Sequence, residues 1–136
     1  FQVVVGGGRF EGFVHRRRDI ATIYTRELGH LPGLALLPWP EGALQAIYAA
    51  RLRHPEQRQC LLAGMRRSGV QGDTVLSYVI PGLACYRAEG YTDAALPQAR
   101  AWSHSVINLP NHPTMSDRQV QRVVHVVRKA LGEWSD

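Results

Sequence analysis

Lysine is almost missing from this chain: of its 16 basic residues, every one but Lys129 is arginine. Covalent amine chemistry needs a desolvated lysine. Lys129, between Arg128 and Ala130 near the end of the last helix-patterned segment, reads instead as a solvated C-terminal charge. Cysteine is scarce too. Cys60 and Cys85 form neither a disulfide framework nor a Cys-x-x-Cys knuckle, so both are expected as reduced thiols and small core residues in a cytoplasmic setting. No apolar run approaches the roughly 18 residues of a membrane span. No basic segment precedes Phe1-Gln2-Val3-Val4-Val5, so a signal peptide is not expected there, and the missing initiator Met suggests a fragment or a processed start. Carboxylates number only 11, and none forms a tight pair suited to acid–base work. The six histidines include no pair at i, i+4 on one helix, so no metal site is expected. Ser103-His104-Ser105 is suggestive only by adjacency, and chain neighbours rarely point at each other. Cys85 paired with a histidine is a weaker nucleophilic alternative. No catalytic, cofactor-binding or metal residue is therefore assigned.

What is present suits one globular domain over residues 1–136, with 45% apolar residues and a net charge of +5. A basic domain raises nucleic-acid binding. The arginines are dispersed, however, and only Arg16-Arg17-Arg18 form a run. Three consecutive residues fan over most of a helical turn, which predicts a solvated face rather than a phosphate stripe.

Val3-Val4-Val5 before Gly6-Gly7-Gly8 could be a strand entering a phosphate cradle, but Glu11 stands where a dinucleotide fingerprint needs glycine. A flexible glycine start is the preferred reading. Phe10, Phe13, Val14, Ile20, Ala21, Tyr24, Leu28 and Leu31 have the spacing of a long amphipathic helix over 10–31. Leu34–Leu37 reads as a short strand. Leu44 to Arg53 alternates as a strand with one buried face, and Pro55 opens a helix that Gly69 closes. Thr74–Ile80 is β-branched and aromatic and reads as a strand stopped by Pro81. Leu83–Ala94 is loop or broken helix, Pro97 starts a short helix, and Val106–Leu109 is the last strand. Ser116 and Gln119 form a capping box, Met115 and Val120 a hydrophobic staple, and Val120, Val123, Val124, Val127 and Leu131 a buried stripe ending at Gly132. The predicted class is α/β (α+β): a small, mostly antiparallel sheet of 3–4 strands packed against helices.

Several local words, in this order, resemble the C-terminal small domain of the DegT/DnrJ/StrS-type sugar aminotransferases. Phe13-Val14 through Arg16-Arg17, Ala21 and Tyr24 resembles that family's linking helix, and Leu31-Pro32-Gly33-Leu34 the word after it. Arg58 to Val70, with Met65 for a leucine, and Pro97-Gln98-Ala99 to Ser103 resemble two further helices. Asn108-Leu109-Pro110 through His112-Pro113, Met115-Ser116, Val120 and Val123 carries most of the likeness. The resemblance covers about residues 10–131.

The resemblance implies an enzyme that uses pyridoxal 5′-phosphate (PLP) to transfer an amino group to a nucleotide-linked keto-sugar, as a homodimer. It also implies that the PLP lysine lies on a large domain missing from this chain. The Asn-x-Arg segment that precedes the linking helix is missing as well, and the family's His before Tyr78 is Ser77. This chain alone is thus expected to be inactive and to bind no PLP. Its expected partner is the large aminotransferase domain, or a second copy of itself. Only Tyr78 and Tyr86 carry over, as substrate-rim residues, against the plainer reading of aromatic packing. The alternative is a stand-alone binding or scaffold module that self-associates through the face left bare.

Overall fold

A computed structural model describes residues 7–75 and 77–132 of the 136. The expected strand Val3–Val5 lies outside the described residues, as does the segment after Gly132.

Helix α1 (Gly7–Leu28) begins within the glycine run, so the expected flexible start is corrected at Gly7 and Gly8, which are helical. Its apolar stripe works only in its second half. Ile20, Ala21, Tyr24 and Leu28 are buried, whereas Phe10 and Phe13 stand about half exposed. Gly29 closes it: its N–H reaches the Thr25 carbonyl at 3.0 Å.

Strands β1 (Leu34–Leu36), β2 (Tyr48–Leu52) and β3 (Val106–Leu109) form one antiparallel sheet in the order β1-β2-β3. The register pairs Leu34 with Leu52, Tyr48 with Leu109 and Ala50 with Ile107. Directly paired residues share a face, so these six side chains form one apolar surface, and all are buried. β2 is shorter than its alternation suggests. Leu44 and Ile47, in the segment before Tyr48, are exposed.

Helix α2 (Arg58–Arg67) follows a 3-10 turn at Pro55–Gln57, and α5 (Asp117–Gly132) lies beside both α1 and α2. Together they cover the apolar face of the sheet with Leu61, Met65, Val120, Val123, Val124, Val127 and Leu131. Gly69 ends the α2 turn at φ +66°, a left-handed conformation that glycine adopts without a Cβ penalty. The Ser116 box forms as the sequence predicts: the Ser116 N–H donates to Gln119 Oε1 at 2.8 Å, and the Gln119 N–H donates to Ser116 Oγ at 3.3 Å.

The expected strand at Thr74–Ile80 does not form among the described residues. Asp73 makes a single antiparallel bridge to Asn108, and the chain then leaves the sheet. Asp73 Oδ1 accepts the Thr74 N–H at 2.6 Å, a local bond that competes with the ladder. Val75, Tyr78 and Ile80 have no layer to pack beneath and remain exposed. A chain of short elements follows: a 3-10 turn at Ile80–Gly82, α3 (Ala84–Ala88), a second turn at Asp93–Ala95, and α4 (Pro97–Ser105). α4 returns to the sheet, against β2.

Candidate functional site

Two features could carry function: the polar turn that feeds α5, and the aromatic excursion between Asp73, which bridges β3, and α4.

The turn Pro110–Ser116 is held by α1. Arg16 donates to the Met115 carbonyl from Nη2 at 2.7 Å and from Nε at 3.2 Å, and pairs with Asp117 at 2.7 Å. Arg17 Nη1 donates to the carbonyls of Asn111 and Ala46. Arg18 Nη2 donates to the Gly42 carbonyl at 3.1 Å. The arginine run is therefore not the solvated face its spacing suggests. It is a clamp on backbone carbonyls: Arg16 and Arg17 reach the turn before α5, and Arg17 and Arg18 reach the segment before β2. Tyr24 completes it, its hydroxyl donating to the Pro110 carbonyl at 2.8 Å. Burial, and secondarily Tyr48, pushes the Tyr24 phenol well above its ordinary range. Burial likewise raises Tyr48, opposed by its bond to Thr25 Oγ1. The two rings meet edge to face with centroids 5.1 Å apart. Asn111 spans from the turn to the Gln45 carbonyl at 2.8 Å. This knot positions; it presents no reactive group.

Tyr78 and Tyr86 both lie on the excursion and both are exposed, at 52% and 41%. Of the plainer reading, aromatic core or loop packing, the core half does not hold for Tyr78, which is exposed. Tyr86 packs only locally, edge to face with Tyr91 at 6.2 Å. Val75, Ile80, Leu83, Tyr91 and Leu96 are exposed beside them in the chain. Thr92 Oγ1 accepts the Ala94 N–H, and Asp93 lies 3.9 Å from Arg100, which together tie the excursion to α4. These exposed apolar side chains all fall between Val75 and Leu96 in the chain.

Other expectations resolve by geometry. Cys60 and Cys85 are free thiols, but both are exposed, so their assignment to the core is corrected: neither falls on an inward position of its helix. Ser103 and Ser105 are buried, with hydroxyls donating to the carbonyls of Arg100 and Ala101, while His104 between them points outward. They form no nucleophilic triad. No group of three or more His, Cys, Asp or Glu suited to a metal occurs among the described residues. No described helix is long and apolar enough to cross a membrane.

Among the described residues, the surroundings of Lys129 do not suit PLP. Lys129 is exposed on α5, at the rim of a groove against α2. Among the described residues no carboxylate lines that groove to partner a pyridinium nitrogen. The helix end that meets it, at Arg67 and Ser68, is the C-terminus of α2, whose partial negative charge disfavours the phosphate.

Residues 8–128 match the DegT/DnrJ/EryC1/StrS aminotransferase family. Over 124 residues the chain is 34% identical to a dTDP-4-dehydro-2,3,6-trideoxy-D-glucose 4-aminotransferase of Saccharopolyspora spinosa, covering 88% of this chain and 30% of that enzyme. The fold superposes on S. venezuelae DesV, solved with a ketimine intermediate, at a TM-score of 0.82 and 24% identity, over 91% of this chain and 33% of that one. A Streptococcus pneumoniae sugar aminotransferase in its PLP form superposes at 0.82 and 21% identity, over 93% of this chain and 33% of that one. The chain thus spans about a third of the length of the relatives it matches. On that match, which takes in nearly every described residue, the chain belongs to the DegT/DnrJ/EryC1/StrS aminotransferase family.

Proposed function

We propose that residues 1–136 are the small C-terminal domain of a PLP-dependent aminotransferase acting on nucleotide-linked keto-sugars, and are not catalytic alone. One observation carries this reading: a family match over residues 8–128 that reaches only about 30% of a relative's length, on a chain whose lone lysine sits in no PLP cradle. The exposed aromatic excursion supports it. In the parent enzyme, Tyr78 and Tyr86 stand at the substrate rim, and the surface from Val75 to Leu96, with Phe10 and Phe13, is covered by the large domain or by a second subunit of a cytoplasmic homodimer. PLP supplies electron withdrawal at the substrate amine from the large domain. This domain's part is to shape and close the site, and to exclude water with apolar side chains.

The intact mass of the native polypeptide tests this. A native chain roughly three times as long as this one is expected; one of 136 residues would refute the domain assignment. A second measurement concerns the isolated chain. Mixed with PLP it is expected to show no saturable absorbance band and no transamination. A band that saturates at low PLP and disappears in Lys129→Ala overturns that expectation.

The exposed apolar face also favours a second reading, a stand-alone binding module that self-associates. A clean monomer in sedimentation at high concentration counts against it.

A further inference from the structure

From Gln71 to Trp102 no described residue is buried. The aromatic excursion inside that stretch has no buried core of its own, so contacts between its own parts set its shape. Two of these are nested. The inner one is local. Gly90, left-handed at φ +87°, ends α3 so that the Tyr91 N–H donates back to the Tyr86 carbonyl at 3.0 Å and the Gly90 N–H to the Arg87 carbonyl at 3.0 Å. The Tyr86 and Tyr91 rings meet across that turn, where such a helix end commonly places an apolar pair.

The outer contact joins the two legs of the excursion. Gly82 on the outgoing leg lies against the Asp93 side chain on the returning one. A Cβ on Gly82 would stand 3.3 Å from Asp93 Oδ2, 3.4 Å from its Cγ and 3.5 Å from its Cβ. Glycine allows this approach because it interposes no side chain. Asp93 is the one residue from Leu83 to Arg100 that is not exposed. Its backbone is set from both sides: Thr92 Oγ1 accepts the Ala94 N–H at 3.2 Å, and the Asp93 carbonyl accepts the Leu96 N–H at 3.0 Å. The ion pair with Arg100, 3.9 Å long and with an exposed guanidinium, adds little.

The contacts run in series to the sheet. α4 is fixed to the body of the domain by Arg51, whose Nε donates to Ser105 Oγ at 3.1 Å, and by Arg58, which donates to the Ser103 carbonyl. Asp93 opens the turn that leads directly into α4. Gly82 lies between Tyr78 and Tyr86 in the chain, so what holds Gly82 holds both.

We propose, on the rim role given above to Tyr78 and Tyr86, that Gly82 and Asp93 are positioning residues: their contact fixes both tyrosines relative to α4 and sets the shape of the substrate rim.

The test is Gly82→Val, which drives a branched side chain into Asp93. The backbone at Gly82 is not left-handed, so the perturbation is the contact itself. Hydrogen exchange of this chain, read by NMR, should quicken roughly tenfold at the Leu83 and Leu96 amides, which flank the contact, with β2 and α5 unchanged. Adding Asp93→Ala removes the carboxylate and should restore slow exchange, whereas Arg100→Gln alone should leave exchange as in the unsubstituted chain. In the full-length aminotransferase, Gly82→Val should raise KM for the keto-sugar roughly tenfold, leave the half-reaction with the amino donor unchanged, and recover in the double variant. Unchanged exchange in Gly82→Val, or no rescue by Asp93→Ala, overturns the contact whatever the rim does. Exchange that quickens throughout β2 and α5 overturns it too, because the contact would then hold the domain rather than the excursion. Altered and rescued exchange with an unchanged KM leaves the contact standing and overturns the rim role of Tyr78 and Tyr86, and with it the positioning.

Discussion

Replacing Tyr24 by phenylalanine removes one oxygen and little else. The ring is fully buried, between the sheet and the turn that feeds α5. Its packing against Tyr48 at 5.1 Å needs only the ring and survives. What disappears is the bond to the Pro110 carbonyl at 2.8 Å, in a turn where proline has already removed a backbone donor. The net value of such a bond is about 0.5–1.5 kcal/mol, and an acceptor left without its partner raises the loss to about 1–3 kcal/mol. Pro110 is half-buried, so water satisfies its carbonyl in part, which places the expected loss near 1.5 kcal/mol. With roughly 2.1 cal/mol/K per residue over the 136 residues, that lowers Tm by about 5 °C. Tyr48→Phe is the internal comparison. Its hydroxyl partner is Thr25 Oγ1, which keeps its own bond to the Ala21 carbonyl at 2.9 Å, so the loss should stay below about 1 kcal/mol. Urea unfolding followed by circular dichroism gives both values. The reasoning is refuted if Tyr24→Phe changes stability by less than about 0.3 kcal/mol, or if Tyr48→Phe is the more damaging of the two.

Met65→Ala, at a fully buried position of α2, should lose about 2–5 kcal/mol of stability, because the surrounding helices cannot close the cavity; denaturant midpoints check it. Ser116→Ala removes one side of the capping box and should lose about 1 kcal/mol, with the α5 amides showing the fastest rise in hydrogen exchange. Tyr24 and Tyr48 both hold their protons above the ordinary tyrosine range, so the native state keeps protons that the unfolded chain releases from about pH 10 upward. Their contribution to stability is full below that pH and is lost as pH climbs through the native values. The decline should be shallower in Tyr24→Phe, and a stability that rises through this range would contradict the assignment.

The sequence by itself determined the elements whose signals are local. The box at Ser116 and Gln119, the stripe from Val120 to Leu131 and the glycine after α2 each act within a turn or two of helix, so spacing alone reveals them. It also carried the family, through words whose order matters more than any one of them. What spacing could not supply is which apolar faces find a partner. Thr74–Ile80 has strand composition, yet it bridges the sheet only at Asp73, because no layer covers Val75, Tyr78 and Ile80. Phe10 and Phe13 continue the α1 stripe but reach past the edge of the core. Arg16, Arg17 and Arg18 look like a solvated run until the fold brings the carbonyls of residues 42, 46, 111 and 115 within their reach. Burial and long-range hydrogen bonds are properties of pairs of segments distant in the chain, and only the tertiary structure decided which segments met.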